Sequence, residues 1–172
     1  MTITSQAPAQ QELRASALHL LTPQDAERVA RLVVRDNEGV DYQLAVRIVD
    51  EALKFIAVAA SGKRDGRNLR PSKIVDMGWH ALILHTELYR DVCGSLGGFV
   101  HHRPEGPETL RRDATTLDQT VDAIRASGYA TDDYLWGDKA DTEIKGGDCQ
   151  HTECHQDPGC GAPQAYPTAH LN

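Results

Sequence analysis

Four of the eight histidines in this chain of 172 residues lie between Met77 and His102, with one of its four cysteines and one of its two tryptophans. A second stretch, Cys149 to Cys160, holds two more histidines and the other three cysteines. Imidazoles and thiolates bind transition metals, and imidazoles exchange protons near neutral pH. Chemistry is therefore expected in these two places.

In the first stretch, Asp76 and His80 are four apart and share one face of a helix. The carboxylate can take the proton of one ring nitrogen and leave the other for a metal or for base work. His85 follows five after His80, roughly 140° round an unbroken helix. Thr86 reads as an N-cap, so a break there would turn His85 toward His80. Cys93 stands two turns along the restarted helix, and a Gly97–Gly98 hinge would fold His101 and His102 back onto the same place. The expected site is a metal held by His80, His85 and one or both of His101 and His102, with Cys93 as a fourth ligand. Asp76 would orient His80, Tyr89 would donate a proton, and His102 or His101 would be a ligand or a general base. Three protein ligands and an open position would make the site catalytic in type. The competing reading makes Trp79, Leu82, Ile83 and Leu84 core, the histidines surface hydrogen-bonders, and Cys93 a small buried hydrophobe. No interval matches the HExxH metalloprotease signature.

In the second stretch, Cys149, His151, Cys154, His155 and Cys160 have the cysteine spacing C-x4-C-x5-C. Three thiolates and an imidazole complete a tetrahedral zinc site, and Pro158-Gly159 supplies the turn that returns Cys160. A loosely metal-binding tail, a disulfide among the three cysteines, and a tail folded over to donate a ligand to the His80 site are the other readings.

Asp76-x-x-Trp79-His80, then His85, Tyr89-x-x-x-Cys93, a glycine and His101-His102 together resemble the core motif of the glycine-rich domain-containing protein-like family. That family includes longer plant and fungal proteins and smaller bacterial ones. The resemblance covers about residues 72–102, and Leu82 stands where the family's middle histidine would be. It implies a special site at Asp76, Trp79, His80, His85, Cys93 and His101 and names no reaction.

The elements that must carry these residues are helices. Thr22 and Pro23 open a first one, with Ala26, Val29, Ala30 and Val33 at helical spacing. Asp41 caps a second, whose wide apolar face (Leu44, Ile48, Ala52, Phe55, Ile56, Ala59) makes it the expected centre. The glycine-containing basic segment from Ser61 to Ser72 reads as a solvated connection or an anion-binding loop. Ser72 caps a third helix to about Leu84, and a fourth runs from near Thr86 to the Gly94–Gly98 region. A fifth fits about Thr109 to Ser127, stopped by Gly128. The expected fold is all-α: a small bundle of four or five helices with a flexible Cys/His-rich C-terminal tail. Residues 1–11 are expected to be disordered, 12–136 to form the domain, and 137–172 to form the tail.

Composition sets the class. The chain is 40% hydrophobic and 25% charged, with net charge −7 and an isoelectric point near 5.5. An acidic balance disfavours general nucleic-acid binding, and no apolar run reaches transmembrane length. The N-terminal segment does not read as a secretory signal, so a cytoplasmic location is expected. In that compartment thiols stay reduced, and clustered cysteines point to metal or redox chemistry. The functional expectation is a small metal-binding protein, zinc first and iron or copper next. It would be a metalloenzyme or pathway component acting on a small molecule or peptide. The alternative is a metal-binding or redox-responsive accessory protein, working through its tail with a protein partner. The apolar faces would permit a homodimer.

Overall fold

Thr22, Asp41 and Ser72 each precede an apolar stretch at helical spacing, and each starts a helix. In the computed structural model, which describes residues 16–61, 69–102 and 114–137, the Thr22 side chain accepts from the Asp25 amide and opens α1, Pro23–Asp36. Asp41 accepts from the Leu44 amide and opens α2, Tyr42–Ala60. Ser72 accepts from the Val75 amide and opens α3, Lys73–Leu84. Each cap satisfies an amide that the first helical turn leaves without an intrahelical partner. After a break at His85 come α4, Thr86–Ser95, and α5, Ala114–Ala126. One 3-10 turn, Leu18–Leu20, precedes them. The described residues form five α-helices and no strand, so the protein is an all-α bundle.

One boundary differs from the sequence reading, and another is not reached by the described residues. Thr86 is the first residue of α4 rather than its cap; His85 holds the cap position with no side-chain hydrogen bond. Helix α5 is described from Ala114, and the expected start at Thr109 lies outside the described residues. So do the expected disordered N-terminus, Lys63, Arg64 and Arg67 of the basic segment, and the tail after Gly137.

Helix α2 is the axis of the bundle. It contacts α1, α3, α4, α5 and the N-terminal 3-10 turn. Twelve of its nineteen residues are buried, more than a single amphipathic stripe would bury. Against it lies α3, and the closeness of that crossing depends on Gly78. A β-carbon there would stand 2.8 Å from the Ile48 carbonyl oxygen and 3.1 Å from the Ala52 β-carbon. The absence of a side chain at Gly78 thus lets α3 sit directly on the α2 backbone. Trp79, next in sequence, is wholly buried and meets Phe55 of α2 edge to face, ring centres 5.3 Å apart.

A buried polar network closes the other side of α2. Glu51 and Lys54 are 1% and 3% exposed. The Lys54 ammonium pairs with Glu51 at 2.7 Å and Asp50 at 3.0 Å. Glu51 Oε1 also accepts from the Asp132 amide, and Oε2 accepts from Trp136 Nε1 at 2.6 Å. Asp50 Oδ1 accepts from the Ala17 amide and from Ser16 Oγ. The network thereby ties both the 3-10 turn and the segment after α5 to the central helix. Burial pushes the Glu51 carboxyl above its ordinary range, against the pull of Lys54 and Trp136. For Lys54 burial works against the charge, but hydrogen bonds to Glu51 and Asp50 outweigh it and hold the ammonium above the ordinary lysine value.

Candidate metal centre

The site is assembled where α3, α4 and the strand-like return after α4 meet. Helix α4 ends in a Schellman turn. Gly97 adopts φ +91°, the Gly98 amide bonds to the Cys93 carbonyl, and the Gly97 amide bonds to the Gly94 carbonyl. This left-handed conformation suits glycine and reverses the chain. Residues 98–102 then run back over α3 and α4, with Val100 fully buried.

That reversal brings His102 to α3. Asp76 is fully buried; its Oδ2 lies 2.8 Å from His80 Nδ1, and its Oδ1 lies 3.4 Å from His102 Nε2. The imidazoles of His80 and His102 meet edge to face at 4.3 Å between centres. The Trp79 indole backs His102 at 4.5 Å. One donor atom from each of Asp76, His80 and His102 falls within 4.8 Å of the others, and the three form the only such group of three metal-competent side chains among the described residues. Ligands at about 2.1 Å from one ion stand up to about 4.2 Å apart, and nearer 3 Å when adjacent. The 3.4 Å between Asp76 Oδ1 and His102 Nε2 suits neighbouring positions on one ion, whereas the 2.8 Å contact of Oδ2 with His80 Nδ1 is a hydrogen bond that leaves His80 Nε2 as the donor atom.

The electrostatics fit as well. A fully buried carboxylate needs a counter-charge. Its hydrogen bond to His80 raises the imidazole pKa above the ordinary histidine value, against the opposing effect of burial. The Nδ1 atom of His80 also lies 3.0 Å from the Asp76 main-chain oxygen. Two acceptors at one nitrogen favour a proton there and leave Nε2 to act as a lone-pair donor in the neutral ring. The side chain of His80 is 33% exposed and that of His102 is 14% exposed. An ion held here would be reachable from solvent.

The other residues of the first stretch stand elsewhere. The break at His85 does occur, but His85 Nδ1 faces back to the Ala81 carbonyl at 2.8 Å, and the residue is not in the cluster of donor atoms. His101 packs on Phe99 at 4.8 Å, on a different side of the returning chain from His102. The alternation of an extended segment sends successive side chains to opposite faces. Cys93 is fully buried and unoxidised, and burial pushes its thiol pKa up. It also lies outside the donor cluster. Tyr89 is 3% exposed, and its hydroxyl donates to the Val100 carbonyl at 2.5 Å and accepts from Trp79 Nε1 at 2.9 Å. Its proton is engaged by the main chain. Cys149, His151, Cys154, His155 and Cys160 lie outside the described residues.

The spacing makes Asp76 an orienting group, and its closeness to both imidazoles also makes it a ligand candidate. The signal in the sequence is the Asp-x-x-x-His interval; what the interval could not give was the third partner. Nothing in the sequence singles out Glu51 and Lys54. Their spacing along a helix is that of an ordinary surface ion pair, and only the returning Trp136 shows that they are buried.

A family model described as UCP032817-like matches residues 23–125, from the start of α1 to the last turn of α5. No curated protein and no solved structure matches the chain.

Proposed function

The chain belongs to the UCP032817-like family, which is uncharacterised, and we propose that it is a metal-binding protein whose ion is held by Asp76, His80 and His102. The observation that carries this reading is the convergence of one buried carboxylate and two imidazoles within 4.8 Å. Two imidazoles and a carboxylate are a donor set for a divalent transition metal: zinc is our first assignment, and iron(II) fits the same set. Three protein donors leave coordination positions for water or a substrate, which is the arrangement of a catalytic site rather than a structural one. On this reading the protein is a metalloenzyme acting on a small molecule or a peptide, in the cytoplasm. The metal would supply Lewis acidity to a bound oxygen. Asp76 would hold His80 in one ring orientation, and the buried Trp79 would support the face of His102. The motif shared with glycine-rich domain-containing proteins would mark the same helix pair.

A second reading has its own observation. A His80 imidazole with its pKa raised by Asp76 at 2.8 Å would balance the buried carboxylate, and the 3.4 Å contact of Asp76 with His102 would tie the returning chain to α3, without any metal. The accessory-protein reading, which puts the metal on Cys149, Cys154 and Cys160, is a third.

Metal analysis separates them. The full chain, purified without chelator, is compared by inductively coupled plasma mass spectrometry with His80→Ala, with His102→Ala, and with Cys149→Ser/Cys154→Ser/Cys160→Ser. About one ion per chain in the wild type and the triple cysteine variant, lost from both histidine variants, is the expected result. Loss in the cysteine variant alone assigns the ion to the tail. No ion after resupply of zinc or iron(II) leaves the ion-pair reading.

A further inference from the structure

The contacts around Trp79 and Val100 share one hydroxyl. Besides Asp76 and His80, His102 has Trp79 against its ring and Val100 two residues before it in the chain. The indole supports its ring at 4.5 Å, and Val100 fixes the main chain two residues before it. Both are fully buried. The Tyr89 hydroxyl joins them, accepting from Trp79 Nε1 at 2.9 Å and donating to the Val100 carbonyl at 2.5 Å. The ring of Tyr89 also meets Phe99 edge to face at 5.2 Å. Tyr89 comes from α4, His80 and Trp79 from α3, and His102 from the return. One side chain thus sets the mutual position of the three segments that supply the site.

We infer that Tyr89 is the positioning residue of this centre: its hydroxyl holds Trp79 and Val100 so that His102 meets Asp76 and His80. This rests on the metal-binding reading above. Removing the hydroxyl leaves a buried indole N–H and a buried carbonyl without the group that joins them. The return segment is then free to settle differently, and the histidine it carries loses its register. Groups that orient a metal ligand typically affect affinity 10–100-fold. Tyr89 itself is not one of the three donor residues.

The test uses the full chain with cobalt(II) and zinc(II) as probes. Tyr89→Phe is expected to bind cobalt(II) about 10–100-fold more weakly and to change the visible ligand-field spectrum, because one imidazole is displaced. Ile124→Val, a core change in α5, is the control for stability and should leave both readouts unchanged. A Tyr89→Phe protein with wild-type affinity and spectrum overturns the inference. Wild type that takes up neither metal overturns the metal-binding reading instead. Should Tyr89→Phe fail to fold, the wild type still decides. Zinc binding should slow hydrogen exchange at Trp79 Nε1 and leave Trp136 Nε1, bonded to Glu51, unaffected. Bound zinc with no change at Trp79 also overturns the inference.

Discussion

Replacing Glu51 by glutamine is the sharpest test of how the bundle is closed. The two side chains have nearly the same shape, so packing is kept and only charge and hydrogen-bond polarity change. Three donors converge on the Glu51 carboxylate: Lys54 Nζ and the Asp132 amide at Oε1, and Trp136 Nε1 at Oε2. A glutamine offers one acceptor oxygen and one NH2 group. With the oxygen toward Lys54, the NH2 faces the Trp136 N–H across 2.6 Å. Flipped, it faces the ammonium and the Asp132 amide. Either orientation places donor against donor in a buried site. A buried donor left unsatisfied costs about 1–3 kcal/mol, and breaking a buried ion pair by changing one partner costs about 3–5 kcal/mol. Lys54 keeps Asp50 at 3.0 Å, which places the expected loss near the lower end, about 3 kcal/mol. For a chain of this size that lowers the melting temperature by roughly 6–12 °C. Urea unfolding followed by circular dichroism measures it, with the m-value checked for constancy. In Glu51→Gln/Trp136→Phe the opposing indole donor is gone, so the double variant should lose less than the sum of the singles. A loss under about 1 kcal/mol for Glu51→Gln, well below the buried-pair range, would refute the buried-network argument; simple additivity in the cycle would refute the assignment of the clash to Trp136.

Two further predictions concern α3. Gly78→Ala should destabilise the protein by about 1–3 kcal/mol, because its β-carbon would press on the Ile48 carbonyl at 2.8 Å, which cannot move without shifting α2; a denaturant midpoint equal to that of the wild type would show that the helices can part freely. In metal-free protein, His80 should titrate above the ordinary histidine value because of its hydrogen bond to Asp76. A raised folded-state pKa contributes stability that is fully present below the unfolded value of about 6.5 and is lost as pH rises through the folded value. Asp76→Asn should weaken this dependence and bring the His80 pKa down, as read from imidazole proton shifts in NMR; an unchanged titration would separate His80 from the Asp76 carboxylate.

Much of the fold follows from local sequence. Thr22, Asp41 and Ser72 could be read as caps because a hydroxyl or carboxylate before an apolar helical stretch satisfies the first free amides. Gly128 could be read as a stop because α5 needs a left-handed residue to close its carbonyls; the φ of +89° and the Tyr129-to-Ile124 hydrogen bond are that closure. The continuous apolar surface of α2 marked it as central. The pairing of Asp76 with His80 was also legible, since an interval of four residues is a property of one helix.

Which distant residue joins that pair is a different kind of fact. Sequence spacing put His85 beside His80 on the metal, with one or both of His101 and His102 next and Cys93 as a fourth ligand. The Schellman turn at Gly97 fixes where the chain reverses, and the alternation of the extended return then sends His102 inward to Asp76 and His101 to Phe99. His85 lies at the helix break, yet its ring is held by the carbonyl of Ala81. Likewise the burial of Glu51 and Lys54 depends on distant segments: Trp136, eighty-five positions from Glu51 in the chain, returns to donate to its carboxylate. Periodicity and capping are local and are determined by neighbours along the chain. The third donor of the centre and the burial of an ion pair are decided by which segments fold against each other.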